Sequence, residues 1–150
     1  LYLVRGVNSR IIAFLSVEVD EDSHQSYSVD CEGGKIDDTY ECLVNLAQNE
    51  GASKGSAGRH DAQLPHVMVF KFNPNACDGG TFTLAHRIAQ LAKQCNEFLQ
   101  MDHAKLKGFD NRTTHVRTLY YHSKRGGPIL EYLKDAARKG AIQYGGNECL

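Results

Sequence analysis

Apolar and polar positions alternate along this chain with two different periods. Between residues 81 and 100 the apolar set Ala85, Ile88, Leu91, Ala92, Cys95, Phe98 and Leu99 recurs at three- and four-residue spacing. That is the stripe of an amphipathic helix, and His86, Arg87, Gln90, Lys93, Gln94 and Glu97 supply its wet side. A second helix is predicted after Pro128, a residue suited to the first helical position. Its apolar side is Ile129, Leu130, Leu133, Ala136 and Ala137, and Gly140 ends it. A third starts near Asp38, which with Glu41 resembles a capping box. Tyr40, Leu43, Leu46 and Ala47 follow in helical spacing, and Gly51 is its natural stop.

The strand period appears elsewhere. Residues 66–72 are nearly continuous in apolar side chains, as in a central strand buried on both faces. Residues 11–19 end in a two-residue alternation of Leu15, Val17 and Val19 against Ser16 and Glu18. Residues 113–121 are β-branched and aromatic, which suits a strand. Weaker strand signals lie at residues 27–29 and 141–144. Residues 51–58 and 102–112 read as loops by composition.

The order is therefore β, weak β, α, β, α, β, α, weak β. The polar faces of several strands favour an antiparallel sheet covered on one side. The expected fold is α+β: a two-layer sandwich of a small, mainly antiparallel sheet of four or five strands with three helices. A small flavodoxin-like α/β fold is the alternative. Neither a repeat nor a linker divides the chain, so residues 1–150 are read as one domain.

Composition narrows the class. Lys and Arg number 17 against 18 Asp and Glu, for a net charge of -1. No strong basic excess marks a nucleic-acid binder, and no apolar run is long enough to span a membrane. The sequence begins Leu1-Tyr2-Leu3-Val4 without Met, and is read as a mature chain whose leader has been removed. Five cysteines and an Asn111-Arg112-Thr113 glycosylation sequon favour secretion. Cys31, Cys42, Cys77 and Cys149 are the disulfide candidates, with pairing undetermined. Cys95, on the apolar stripe of the longest helical pattern, is the candidate free thiol.

Candidate chemistry centres on the seven histidines. His115 and His122 bracket a strand that carries Arg117, with Lys124 and Arg125 just beyond. Two histidines and a cation can run general acid–base cleavage of a phosphodiester. Period-2 geometry puts His115 and Arg117 on one face and His122 on the other. Arg117, Lys124 and Arg125 also form a positive patch that could receive phosphate, an acidic partner or a sulfated glycan. Cys77, near the start of a helix, is a weaker thiol-nucleophile candidate. Residues 51–58 hold Gly, Lys and Ser, but Lys54 precedes Gly55 and a helix precedes the loop, which does not fit a phosphate loop. No calcium loop, zinc spacing or nucleophile elbow is present, and no cofactor or metal is implied.

These features point to a small secreted, disulfide-stabilised interaction protein. It would be effector- or toxin-like and would act by binding a protein or glycan target. A covalent or non-covalent homodimer is compatible with the odd cysteine. The alternative is a secreted hydrolase or nuclease with His115 and His122 as general acid and base.

Overall fold

A computed structural model describes residues 1–6, 11–20, 28–52, 64–75, 82–101, 103–106, 109, 114–121 and 127–148. The strands are β1 (Tyr2–Arg5), β2 (Ile11–Val19), β3 (His66–Phe72), β4 (Thr114–Tyr121) and β5 (Ile142–Glu148). The helices are α1 (Val29–Ala52), α2 (Leu84–Leu99), the short α3 (His103–Leu106) and α4 (Gly127–Arg138). The strands form one mixed sheet in the order β1-β2-β3-β4-β5. β1 runs antiparallel to β2, whereas β2, β3, β4 and β5 pair in parallel. No helix of the described residues is long and apolar enough to cross a membrane.

β3 lies at the centre, and every one of its residues is buried. Its side chains alternate between two cores. Val67 and Val69 join Phe14, Val116 and Ile142 beneath Ile36 and Leu43 of α1 and Ile129, Leu130 and Leu133 of α4. Met68, Phe70 and Phe72 join Leu15 and Leu119 beneath Phe98 of α2 and Leu106 of α3. Helices therefore cover both faces. A continuous apolar strand such as β3 requires this, because each of its faces must be shielded from water.

This arrangement bears out the expected α+β class and corrects its details. A five-stranded sheet with three long helices is present, but only one of its four strand pairings is antiparallel. The single helical layer is replaced by one layer on each face. The flavodoxin-like alternative does not fit either, since the strand order runs straight across the sheet without a reversal. From β2 to β5 each crossover steps the same way. Yet α2 lies on the face opposite α1 and α4. The β3–α2–β4 crossover is consequently of opposite hand to its two neighbours.

The helix ends follow local chemistry. Ser28 caps α1, its Oγ accepting from Cys31 N at 3.2 Å. The helix thus starts at Val29, not near Asp38, and the weak strand expected at residues 27–29 is not formed at Val29. Gly33 sits inside α1 because α4 passes close by. A Cβ there would lie 2.2 Å from the Tyr132 hydroxyl oxygen. Thr83 caps α2 by accepting from His86 N. α4 ends on Gly140 at φ 75°, with Gly140 N bonded to Ala137 O and Ala141 N to Ala136 O. That pair of bonds is a Schellman motif.

Candidate functional site

Adjacent parallel strands here send the chain to opposite faces. β2 leads to α1 and β4 leads to α4 on one side, and β3 between them leads to α2 on the other. The carboxyl ends of parallel strands, where neighbouring connections part in this way, are the usual ligand position in open α/β sheets. The charged residues of the sheet interior gather there.

Lys71 is the penultimate residue of β3 and points to the α1/α4 face, in step with Val67 and Val69. Its side chain is 0% exposed. Nζ donates to Glu18 Oε2 at 2.7 Å and to Asp20 Oδ2 at 3.3 Å. Glu18 and Asp20 are two residues apart at the end of β2, so the strand period carries both carboxylates to the side on which Lys71 lies. Glu18 keeps 26% of its side chain exposed, whereas Asp20 is buried. The Tyr121 hydroxyl also donates to Asp20 Oδ2.

Tyr121 reaches Asp20 because β4 is bulged. Leu119 faces Asn147 and Tyr121 faces Glu148, which leaves Tyr120 as the extra residue. Tyr120 has φ 60°, a left-handed conformation unusual for a bulky side chain. Leu119 and Tyr120 consequently both pack on the α2 side, and Tyr121 returns to the opposite core. Asn73 holds the bulge: its Nδ2 donates to Tyr120 O at 3.1 Å and its backbone N to Leu119 O at 3.1 Å. Arg87 of α2 ties the segment after β3 in place, donating from Nη1 to Phe82 O and from Nη2 to Pro74 O, both at 2.6 Å. Tyr120 packs edge-on to Phe72 and Phe82. Burial pushes its phenol above the ordinary tyrosine range, partly offset by the nearby Arg87 charge.

Of the residues singled out from the sequence, His115, Arg117, Cys31, Cys42 and Cys95 are described, and none of them belongs to the Lys71 cluster. His115 is the second residue of β4, at the amino end of the sheet, only 4% exposed and edge-on to Phe109 in the α2-side core. Arg117 does share its face, as the strand period predicts, and lines a groove beside α2. His122, Lys124, Arg125, Cys77, Cys149 and Asn111 lie outside the described residues. The thiols of Cys31, Cys42 and Cys95 are free. Cys31 and Cys42 are eleven residues apart on α1, about 16 Å at the rise of an α-helix, far beyond disulfide reach. Burial pushes the Cys95 thiol above its ordinary value. Among the described residues no three His, Cys, Asp or Glu side chains are grouped to hold a metal ion.

Sequence reasoning missed Lys71, Asp20, Tyr121 and Asn73. One signal was available: a lone lysine inside an otherwise apolar central strand needs an anionic partner, and Glu18 and Asp20 end the neighbouring strand. The bulge that aims Tyr121 has no comparable signature. The chain matches no known family model, curated protein or solved structure.

Proposed function

We propose that the carboxyl edge of the sheet is a hydrolytic acid–base centre built on Glu18, Asp20 and Lys71. The observation that carries this reading is the buried Lys71 ammonium held between two carboxylates at the strand ends. Buried ion pairs seldom raise stability over an apolar replacement, so their presence needs another reason. The backbone strain at Tyr120 points the same way, since such strain collects at functional sites. Glu18 is the partly exposed member and serves as general base toward water. Lys71, fully buried and bonded to both carboxylates, positions Glu18, and Asp20, anchored by Tyr121, orients Lys71. Substrates are esters of phosphoric or carboxylic acids. This keeps the hydrolase alternative but moves its machinery from His115, at the amino end of β4, to the carboxyl edge of the sheet.

The test is a hydrolysis panel of RNA, DNA and p-nitrophenyl phosphate and carboxylate esters, run with chelator and with Mg²⁺. Wild type is expected to turn over one class, and Glu18→Gln to lower that rate by about 10²- to 10⁴-fold with its circular dichroism unchanged. Absence of turnover on every substrate, or full activity in Glu18→Gln, would overturn the reading.

A second reading, a secreted interaction protein without catalysis, draws on a different observation. β1 is an edge strand, and Tyr2 and Leu3 on it, with Leu1 just before it, are exposed. An open apolar edge can accept a strand from a protein partner. Pull-down of a defined partner that β1 substitutions abolish would favour it.

A further inference from the structure

We infer that a groove on the α2 side of the sheet, away from the Lys71 cluster, binds a small organic phosphate through Arg117. The groove encloses about 330 Å³. Arg117 of β4 and Gly145 of β5 form its floor, and Gln90, Lys93, Gln94 and Glu97 of α2 form its wall.

Three observations carry the assignment. First, Arg117 is half-buried and has no hydrogen-bond or ion-pair partner among the described residues. A half-buried guanidinium keeps a planar fork of donors suited to phosphate oxygens. Lys93, paired with Glu97 at 3.9 Å on the exposed wall, leaves the groove one positive charge in excess. Second, the groove exists because of Gly145. Arg117 and Gly145 are direct partners across β4 and β5, so the place where a cross-strand side chain would cover the guanidinium is empty. A Cβ on Gly145 would meet nothing within 4 Å. Gly146 is different: a Cβ there would lie 2.4 Å from Thr118 Oγ1, so that glycine serves packing on the opposite face. Glycine weakens a strand and often marks a close approach by a ligand. Third, the volume far exceeds a lone tetrahedral oxyanion and falls at the lower end of small-molecule sites, about 300–1,000 Å³. Gln90 and Gln94, one helical turn apart, present amide donors and acceptors to the rest of such a molecule.

The test is calorimetric titration of the whole chain with AMP, inorganic phosphate and adenosine. AMP is expected to bind more tightly than inorganic phosphate, and adenosine not at all. Arg117→Met is expected to weaken AMP by at least about tenfold. Gly145→Val fills the groove from the strand side and covers the guanidinium without removing it, and is expected to abolish binding while the circular dichroism stays that of wild type. That variant keeps the inference testable even if Arg117→Met fails to fold. Equal affinity for adenosine and AMP, inorganic phosphate binding with no gain for AMP, unchanged AMP affinity in Gly145→Val, or no binding of AMP would each overturn it.

Discussion

The ammonium of Lys71 lies 3.3 Å from the Asp20 carboxylate, and both side chains are buried. Glu18 adds a second carboxylate from the solvent side at 2.7 Å. Removing one member strands the others in a low-dielectric interior. Lys71→Met should therefore lower unfolding free energy by roughly 3–5 kcal/mol. Adding Asp20→Asn to Lys71→Met should recover part of that loss, because the buried negative charge goes with its partner. Urea unfolding of the two single variants and the pair checks this. Strict additivity would mean that the two groups do not interact.

Tyr121 donates to the same Asp20 oxygen from β4. Tyr121→Phe keeps the ring in the core and removes only the donor. The expected cost is about 1.5–3 kcal/mol, the range for a hydrogen bond to a charged group. In the Asp20→Asn background the cost should shrink, because the acceptor is no longer charged. A double-mutant cycle on urea midpoints reads the difference.

The cysteines differ in reactivity. Cys31 and Cys42 are exposed on α1. Cys95 faces the α2-side core, and burial raises its thiol above the ordinary range. Its thiolate is scarcer near pH 8, and its sulfur is harder to reach. Under native conditions iodoacetamide should modify Cys31 and Cys42 first and Cys95 last, as followed by peptide mass spectrometry. The same experiment, repeated after denaturation with and without reduction, tests for disulfides at Cys77 and Cys149. The secreted reading depends on that outcome.

Much of this fold is legible in the sequence, and the failures have identifiable causes. β3 is found residue for residue, because a run such as Val67-Met68-Val69-Phe70 can only be a doubly buried strand here. α2 and α4 are legible from their stripes within a few residues of each end, but the faces of α2 are only partly right: Arg87, assigned to the wet side, is buried on the carbonyls of Phe82 and Pro74, and Ile88 of the stripe is exposed. The start of α1 is missed because Gly33-Gly34 reads as a turn, and only the approach of Tyr132 explains a glycine at that position. Strand direction is missed because β2 presents a polar Ser16 and Glu18 side, which suggests a wet antiparallel face. That side instead leads to the buried Lys71 cluster. β5 is longer than expected because Gly145 and Gly146 interrupt its strand signal. The site is harder still: an alternation of carboxylates is visible at residues 18 and 20, but the bulge that brings Tyr121 to them depends on pairing between β4 and β5.

The approach of α1 to α4 allows a test in which one substitution changes sign. Gly33→Ala should raise helix propensity by up to about 1 kcal/mol, but its Cβ would meet the Tyr132 hydroxyl at 2.2 Å. The ring must shift, so Gly33→Ala should destabilise wild type. In a Tyr132→Ala background the obstruction is gone, and the same change should stabilise.

The Tyr132 phenol also links this contact to pH. Burial raises it first, with Asp37 and Asp30 adding to the rise and Lys139 opposing it. A raised phenol favours the neutral form in the folded chain. Its contribution is complete below the unfolded value of about 10 and is lost as pH climbs through the higher folded value. Wild-type stability should therefore fall above pH ~10, and Tyr132→Phe, which has no proton to lose, should fall less steeply. Urea midpoints measured on both proteins across that range decide it. Identical slopes would show that the Tyr132 phenol titrates alike in the folded and unfolded chains.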